Sequence, residues 1–408
     1  MNNIPEGYKQ TEVGVIPMDW EAKTLGDAAE VVMGQSPVGA SYNHSGTGAP
    51  LINGPTEFTE KYPIKIQWTS QPTKFCKKCD MLLCVRGSST GRINISDGEY
   101  CIGRGIAAIR AKSGADTSFI TFQVESAVKS ILALTTGSTF PNIDGKSIRA
   151  IQFPLPPLPE QQAIASALTD VDALITALGQ LITKKRYIKQ GAMQQLLTGK
   201  KRLPGFGGEW EVKKLGEILL KTQLGGNYPN SEKETNYPLM KMGNINRGLV
   251  DISKIEYITD KSSPSEKDKL QYGDVLFNTR NTLELVGKVA IWRNELPLAY
   301  FNSNLLRFEF NPSHVSSKFF MNNIFNTKQI LSQLKGFATG TTSVAAIYSR
   351  DLIKLQIPLP PLPEQTAIAT ILSDMDAEIE ALEQKQTKYK AIKQGMMQEL
   401  LTGKTRLV

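Results

Sequence analysis

The sequence predicts an α+β fold: two similar α+β domains, each followed by a long helix, with the two helices forming an antiparallel coiled coil. Three observations predict it, namely a long internal repeat, a seven-residue apolar period inside the repeated segments, and short β-rich runs before them. Because the repeat divides the chain into two similar halves, we expect a pseudo-twofold internal arrangement.

The repeat has an offset of 204 residues in a chain of 408. The string Q-F-P-L-P-P-L-P-E-Q-Q-A-I-A begins at Gln152, and Q-I-P-L-P-P-L-P-E-Q-T-A-I-A begins at Gln356. About 35 of the 52 positions in 152–203 are identical in the second copy without a gap, whereas the regions before each copy match loosely. The predicted order is a variable domain (1–153), a constant segment (154–203), a second variable domain (204–357) and a second constant segment (358–408).

The variable domains contain β-rich runs separated by glycine, asparagine, serine and proline, and each domain ends in a helical stretch. The predicted strands are Asp80–Val85, Gly105–Ile109, Asp274–Phe277 and Leu305–Phe310, and the predicted helices are Ser118–Leu134 and Ser316–Leu334. Separate strands and helices joined by long polar loops are typical of α+β domains.

Each constant segment opens with a proline-rich turn and continues as a helix. Pro159 and Pro363 suit the first turn of a helix, Gly199 and Gly403 suit its end, and no proline lies between them. Apolar residues at seven-residue spacing indicate the stripe of a coiled coil. The predicted stripe consists of Ile164, Leu168, Val171, Ile175, Leu178, Ile182, Leu196, Ile368, Met375, Leu382, Tyr389 and Met396.

Composition excludes several classes of protein. Hydrophobic residues make up 40% and charged residues 21% of the chain, as in globular proteins. No run approaches 18 apolar residues, so no membrane span is expected. No secretory signal pattern is present, so we expect a cytoplasmic location. The net charge of +8 is compatible with a nucleic-acid partner.

The motifs P-L-P-P-L-P-E-Q, D-x-D-A and Q-x-L-L-T-G-K, each present twice between divergent domains, resemble those of type I restriction–modification specificity (S) subunits. The resemblance covers essentially the whole chain. It implies two target-recognition domains, a helical spacer and a bipartite target in double-stranded DNA. It also implies two methyltransferase (M) and two restriction (R) subunits as partners, and adenine N6 methylation by the M subunits.

By the same resemblance, S-adenosylmethionine, ATP and Mg²⁺ are expected on the partner subunits, with no cofactor in this chain. The absence of catalytic motifs agrees with this expectation. The string Asn311-Pro312-Ser313-His314 lacks the second proline and the aromatic residue of an adenine methyltransferase loop. Asp144-Gly145-Lys146-Ser147 ends like a phosphate-binding loop, but Phe140 holds the place of its first glycine. Cys76 and Cys79 have no thiol counterparts in the second half, so neither a metal site nor a catalytic residue is predicted.

Candidate DNA contacts lie on loops that combine basic, hydroxyl and amide side chains. They are Arg86, Ser88, Thr90, Arg92, Ser138, Thr139, Thr279, Arg280, Asn281, Thr341 and Thr342. The repeat pairs Arg86 with Arg280 although the two presumed targets differ, so a phosphate is the predicted ligand of both. Ordinary turn chemistry is the alternative for each of these residues.

Two other functions are compatible with the sequence. A repeat scaffold could join two copies of one protein without reading DNA, since the constant helices alone would allow it. A stand-alone nuclease has only weak support, from acidic strings such as Asp97-Gly98-Glu99.

Overall fold

The computed structural model describes residues 4–134, 142–259, 262–341 and 344–407. The chain forms two compact units: unit 1 comprises residues 1–179 and 384–408, and unit 2 comprises residues 180–383. Both long helices contribute residues to both units, so the units do not follow the order of the chain. The four-part division by sequence stays a prediction.

Unit 1 contains short strands and four helices within the residues that the structure describes, the fourth of which extends into unit 2. The strands are Tyr8–Thr11 (β1), Gly14–Pro17 (β2), Glu21–Thr24 (β3), Ala29–Met33 (β4), Tyr42–Asn43 (β5), Ala49–Ile52 (β6), Trp68–Thr69 (β7), Phe75–Cys76 (β8), Met81–Cys84 (β9), Ile93–Ile95 (β10), Tyr100–Ile102 (β11), Ile106–Ala111 (β12) and Gln152–Leu155 (β13). The helices are Leu25–Ala28 (α1), Thr117–Leu134 (α2), Gly145–Arg149 (α3) and Leu158–Leu196 (α4).

Unit 2 has a similar order of elements. Its strands are Glu211–Lys214 (β14), Leu219–Leu224 (β15), Asn230–Ser231 (β16), Pro238–Met240 (β17), Glu256–Ile258 (β18), Val275–Asn278 (β19), Arg280–Asn281 (β20), Val289–Ile291 (β21), Tyr300–Phe301 (β22), Leu305–Phe310 (β23), Thr339–Gly340 (β24), Ala345–Ala346 (β25) and Gln356–Leu359 (β26). The helices are Leu215–Ile218 (α5), Lys318–Phe325 (α6), Lys328–Phe337 (α7), Ser349–Leu352 (α8) and Leu362–Leu400 (α9), the last of which returns to unit 1.

The two units share a sheet topology that loose sequence similarity only suggested. The order β10-β9-β12-β4 in unit 1 matches β21-β19-β23-β15 in unit 2. A second sheet has the order β5-β7-β6-β11-β8 in unit 1 and β16-β18-β17-β22 in unit 2, with one parallel pair in each, β6 with β11 and β17 with β22. The predicted α+β class is therefore confirmed, and both units are built on one plan.

The prediction of one helix over Ser316–Leu334 is wrong in one respect, because the structure has two helices there, α6 and α7. Asn326 ends α6, and its side-chain amide donates to the carbonyl oxygens of Asn322 and Val289. Thr327 then has extended backbone angles at the start of α7. Polar side chains that bond nearby main-chain groups compete with helix continuation, which explains the break.

The apolar stripe of the long helices passes from the domain cores into the middle of the helices. Ile164 and Leu168 belong to the core of unit 1, together with Leu400. Leu196 and Ile368 belong to the core of unit 2. All twelve predicted stripe residues are buried or half-buried. The end residues pack into the cores of the two units, while the coiled-coil geometry of the middle stays a prediction.

The two long helices run antiparallel inside each unit. In unit 2 the ion pairs are Lys185 with Glu378, Arg186 with Glu383, Lys189 with Asp376, and Arg202 with Glu364. In unit 1 the side chain of Gln386 donates to the carbonyl oxygen of Ile175 at 3.2 Å, and Lys393 lies 2.8 Å from Asp172. In unit 1 the partner number falls from Lys393 to Gln386 between Asp172 and Ile175, and in unit 2 it falls from Glu383 to Glu364 between Arg186 and Arg202, as expected for antiparallel packing.

The glutamine of the repeated P-E-Q motif attaches each long helix to its domain. The side-chain oxygen of Gln161 accepts from the Asp116 N–H at 2.8 Å, and its amide donates to Gly114 and Pro156. Gln365 makes the corresponding bonds in unit 2, to Ser316, His314 and Pro360. Both glutamines are 1% exposed, so the motif has a structural role beyond starting a helix.

Among the described helices, Leu158–Leu196 is long and apolar enough, by length and composition alone, to cross a membrane. A single helix of this kind is weak support for a membrane span, because core helices of globular proteins have the same property.

Candidate nucleic-acid interface

In unit 1 the predicted loop follows strand β9 and closes as a tight turn. Gly87 has a φ of +80°, which glycine adopts readily. Thr90 is 8% exposed and its hydroxyl donates to the Gly87 carbonyl at 2.8 Å, so Thr90 holds the turn. Arg86, Ser88 and Arg92 are exposed on either side of it. These three side chains are therefore available to a ligand, whereas the Thr90 hydroxyl is engaged in the turn.

The main chain around Arg86 is paired with the segment that leads into α3. Arg86 forms an isolated antiparallel bridge with Asn142, and the Ile143 N–H donates to the Val85 carbonyl at 3.0 Å. The predicted residues Ser138 and Thr139 lie outside the described residues.

In unit 2 the two predicted loops lie side by side in one sheet. Strands β20, β25 and β24 form a three-stranded ribbon in which Ala345–Ala346 pairs with Arg280–Asn281 on one side and Thr339–Gly340 on the other. The Ile347 N–H extends this pairing by donating to the Thr279 carbonyl at 3.0 Å. The structure thus brings together residues that lie about 60 positions apart in the sequence.

Thr341 lies at the tip of this ribbon and is exposed. Its N–H donates to the Val344 carbonyl at 2.9 Å, and its hydroxyl accepts from the Val344 N–H at 3.2 Å. Thr279 has its hydroxyl bonded to the Asn304 carbonyl at 2.9 Å. Thr342 lies outside the described residues. The exposed members of the predicted set in unit 2 are therefore Arg280 and Thr341, with Asn281 half-buried.

Arg86 and Arg280 occupy equivalent positions in the two units. Arg86 follows Val85, whose carbonyl accepts the N–H of Ile143. Arg280 follows Thr279, whose carbonyl accepts the N–H of Ile347, the repeat counterpart of Ile143. Both arginines are exposed. The equivalence inferred from short motifs therefore has a counterpart in hydrogen-bond register, and their contact with DNA stays a prediction.

Two further exposed residues, Tyr348 and Arg350, follow directly after the ribbon and were missed by the sequence reasoning. The Arg350 guanidinium lies 5.4 Å from the centre of the Tyr348 ring. A tyrosine two residues before an arginine, close after a hydroxyl-rich loop, is the signal that could have found them. In unit 1 the same positions hold Asp144 and Lys146.

Acidic groups near this surface are held in their charged form. Backbone bonding from the Ser147 N–H lowers the pKa of Asp144. A hydrogen bond from Lys354 lowers the pKa of Asp351. Both carboxylates therefore contribute a full negative charge near neutral pH, and the Asp144 charge lies in unit 1, close to Arg86 in the sheet register.

The cysteines have structural positions. Cys76, Cys84 and Cys101 are buried, Cys79 is exposed, and all four are free thiols. Burial raises the pKa of the Cys84 thiol to about 11, so this group stays protonated and a poor nucleophile. Within the described parts of the chain, no group of three His, Cys, Asp or Glu residues could hold a metal ion.

The two units share one plan, and each has an exposed arginine at the same hydrogen-bond register. The chain belongs to the type I restriction–modification specificity family: the model of the type I restriction modification DNA specificity domain matches residues 17–185 and again residues 207–391. It is thus a specificity subunit with two recognition domains, not a catalytic subunit, and the resemblance inferred from the repeated motifs is confirmed.

Relatives with assigned names agree with this family. A Methanocaldococcus jannaschii protein named as the MjaX specificity subunit of a type I restriction enzyme is 38% identical over 201 residues, which covers 48% of this chain and 47% of that protein. The chain therefore matches about half the length of this relative. The MjaVIII specificity subunit of the same organism is 24% identical over 417 residues, covering 98% of this chain and 96% of the relative.

Solved structures share the fold. The S subunit of a type I restriction–modification system from M. genitalium has a TM-score of 0.58 at 18% identity, covering 94% of this chain and 96% of that chain. A structure that describes complex assembly and conformational transition of a type I system has a TM-score of 0.57 at 17% identity, covering 96% and 99%.

Proposed function

We propose that this chain reads a bipartite DNA target, with one recognition domain on each half, and that its constant helices dock two methyltransferase subunits. The observation that carries the proposal is the contrast inside the repeat: near-identical helices join two domains of one topology but divergent sequence. A chain that binds two copies of one partner and two different half-sites needs this combination.

An exposed face that is identical in both helices supports docking of one partner twice. Six residue pairs at intervals of three or four follow one side of each helix, and all are exposed in both copies. They are Asp170 and Asp374, Ala173 and Ala377, Ala177 and Ala381, Gln180 and Gln384, Lys184 and Lys388, and Ile188 and Ile392. Burial in a core does not explain identity at exposed positions, and a common partner would account for it.

The remaining partners belong to the same proposal. Adenine N6 methylation would occur on the methyltransferase subunits with S-adenosylmethionine, and cleavage on two restriction subunits with ATP and Mg²⁺. The assembly would act in the cytoplasm. This chain would contribute DNA recognition and assembly to both reactions.

Methylome sequencing of a host that expresses this chain with its methyltransferase subunit tests DNA reading. We expect a new adenine-methylation motif of two short elements with a fixed gap. Exchanging residues 22–150 for those of another family member should change one element only, because base reading is local to a domain. A complex that forms but methylates no bipartite motif would favour a scaffold that does not read DNA.

The docking face is tested by assembly. Ile188→Glu together with Ile392→Glu should abolish co-elution of the methyltransferase subunit in size-exclusion chromatography. Tyr187→Glu is the matched control, because Tyr187 is 70% exposed on the same helix but its repeat partner is Ala391. Equal loss of assembly in the control, or none in the double variant, would contradict docking on this face.

A further inference from the structure

One face of the ribbon in unit 2 carries Arg280 toward solvent. Arg280 pairs directly with Ala346, which pairs with Thr339 on its other side. Side chains of directly paired residues project from the same face of a sheet. Ala345, the next residue along the strand, is 1% exposed and belongs to the core, so the face with Arg280 and Ala346 is the outer one.

Tyr348 extends this outer face beyond the end of β25. It follows Ala346 by two residues in extended conformation, with φ −86° and ψ 148°, so alternation places it on the same side. Ile347 between them is 3% exposed, as expected for the inner side, whereas Tyr348 is 48% exposed. Diagonal neighbours on paired strands lie about 7–8 Å apart, which brings the Tyr348 ring within reach of Arg280.

Arg350 completes the face by stacking on Tyr348, and its side chain is 79% exposed. Stacking holds a guanidinium in place and leaves the N–H groups at its outer end available to a ligand. The Arg350 Nε also lies 3.5 Å from Asp351, a carboxylate already bonded to Lys354 at 2.8 Å. Two cations, Arg350 and Lys354, thus share one carboxylate, which leaves a net positive charge beside Tyr348.

The main chain beneath Arg280 is held in place. Its N–H donates to the side-chain oxygen of Asn278 at 3.2 Å, and Asn278 is 0% exposed. Within the described residues, the Arg280 guanidinium forms no hydrogen bond or ion pair. The backbone at Arg280 is therefore anchored, and its guanidinium is available to an external anion.

We propose that Arg280, Tyr348 and Arg350, here called the Arg–Tyr–Arg face, bind phosphates of the DNA backbone. The proposal rests on the proposed function and adds residues and a role within it. The face presents N–H and O–H donors, which suit phosphate oxygens that only accept. Base edges in the major groove present donors and acceptors together, so a face of donors suits the backbone better.

Unit 1 lacks this chemistry at the same place. Asp144 and Lys146 hold the positions that Tyr348 and Arg350 hold in unit 2. The Asp144 side chain accepts from the Ser147 N–H at 2.7 Å, and this bond lowers the pKa of Asp144, so the group is a carboxylate. A carboxylate repels phosphate. The two units therefore hold the backbone unequally, with the stronger contact in unit 2.

The test measures binding of the chain, assembled with its methyltransferase subunit, to fluorescent duplexes with and without the target over a range of salt concentrations. Each phosphate contact contributes about 0.9 to the slope of log K against log salt. Arg280→Ala and Arg350→Ala should each flatten the slope by roughly one and weaken both duplexes by the same factor. Arg350→Lys, which keeps the charge, should retain the slope.

Two control variants remove one positive charge each, as the Arg280→Ala and Arg350→Ala variants do. Lys328→Ala removes an exposed cation from α7 outside the face and should leave the slope nearly unchanged. Lys146→Ala removes the repeat-matched cation of unit 1 and should flatten the slope less than Arg350→Ala. Thermal unfolding of each variant checks that the fold is intact.

Arginine variants that change the slope no more than Lys328→Ala would overturn the inference. Altered preference at one base pair with an unchanged slope would also overturn it, because it would make the arginine a base reader. Either result leaves the proposed function intact if the wild-type complex still selects its target. A wild-type complex that binds both duplexes equally would contradict the proposed function itself.

Discussion

Arg406 and Glu160, 246 residues apart in the chain, form a two-bond ion pair in unit 1. The distances are 2.7 Å from Nε to Oε1 and 2.8 Å from Nη2 to Oε2, and Glu160 is 3% exposed. The Trp20 indole N–H donates to the same carboxylate at 2.9 Å. Residues near both ends of the chain therefore meet at the start of the first long helix.

The same pair recurs in unit 2 as Arg202 with Glu364, at 2.7 and 2.6 Å. Glu364 is 0% exposed. In unit 2 the arginine and the following domain are linked by continuous chain, whereas in unit 1 the corresponding junction is made by contact between the two chain ends. The ion pair thus closes unit 1 without a covalent link.

Replacing Arg406 should destabilise unit 1 strongly. Arg406→Met leaves a buried carboxylate without its partner, a change that costs about 3–5 kcal/mol. Chemical denaturation followed by circular dichroism should show an earlier transition for unit 1. Adding Glu160→Gln removes the stranded charge and should recover part of the loss. A variant as stable as the wild type would contradict a structural role for this pair.

Acid should weaken the neighbouring contact of Arg406 with Asp19. Hydrogen bonds from Arg406 lower the pKa of Asp19 below its ordinary value of 3.8. A lowered folded-state pKa stabilises the fold above about pH 4, and this contribution is lost as pH falls through the folded pKa. Asp19 is half exposed, so the effect is under about 1 kcal/mol. Wild type and Asp19→Asn should differ in melting temperature at pH 6 and converge near pH 2; a gap that widened in acid would contradict the assignment.

Cys79 should be replaceable by glycine with a gain in stability. Its φ of +70° is unfavourable for a side chain, and the corresponding residue of unit 2 is Gly273 with φ +84°. Relief of left-handed strain is worth about 1–2 kcal/mol, and the greater freedom of glycine in the unfolded chain offsets about half of it. Cys79→Gly should raise the melting temperature, whereas Gly273→Ala should lower it. A fall for the first variant would show that the exposed Cys79 side chain contributes stability.

The ion pairs between the long helices include a third charged residue from a domain, and we expect their contribution to stability to depend on it. In unit 1 the Lys393 ammonium lies 2.8 Å from Asp172 and 3.4 Å from Glu125 of α2. Lys393→Glu places three carboxylates together and should cost about 2–3 kcal/mol. Adding Glu125→Lys should restore a substantial part, measured as the coupling energy of a double-mutant cycle.

Unit 2 has the opposite arrangement, with one carboxylate between two cations. Asp376 pairs with Lys189 and lies 3.6 Å from Arg293.

Lys390→Glu is the control for the unit 1 experiment, since Lys390 is exposed on the same helix as Lys393. It should change stability by less than about 0.5 kcal/mol. Additive losses in the Lys393→Glu cycle would show that the helix–domain contact is not coupled.

The parts of the candidate site that a few consecutive residues define could be predicted from the sequence. The pairing of Arg86 with Arg280 follows from a few residues after similar strands, and the hydrogen-bond register agrees with it. The burial of Thr90 was not predictable, because a threonine in a glycine-rich loop has the same sequence pattern whether its hydroxyl faces solvent or closes a turn. Tyr348 was missed because its role depends on Arg350 stacking and on the outer face of a ribbon.

The sequence alone determined the repeat, the two long helices and the α+β class of the domains. The helices and strands are encoded in short periods of apolar residues, which a short window contains, and the repeat is visible as two similar segments 204 residues apart. Only the tertiary structure decided which residues meet, such as Arg406 with Glu160 and the two loops of the unit 2 ribbon. Contacts between distant residues depend on how the whole chain packs, and no local pattern encodes that packing.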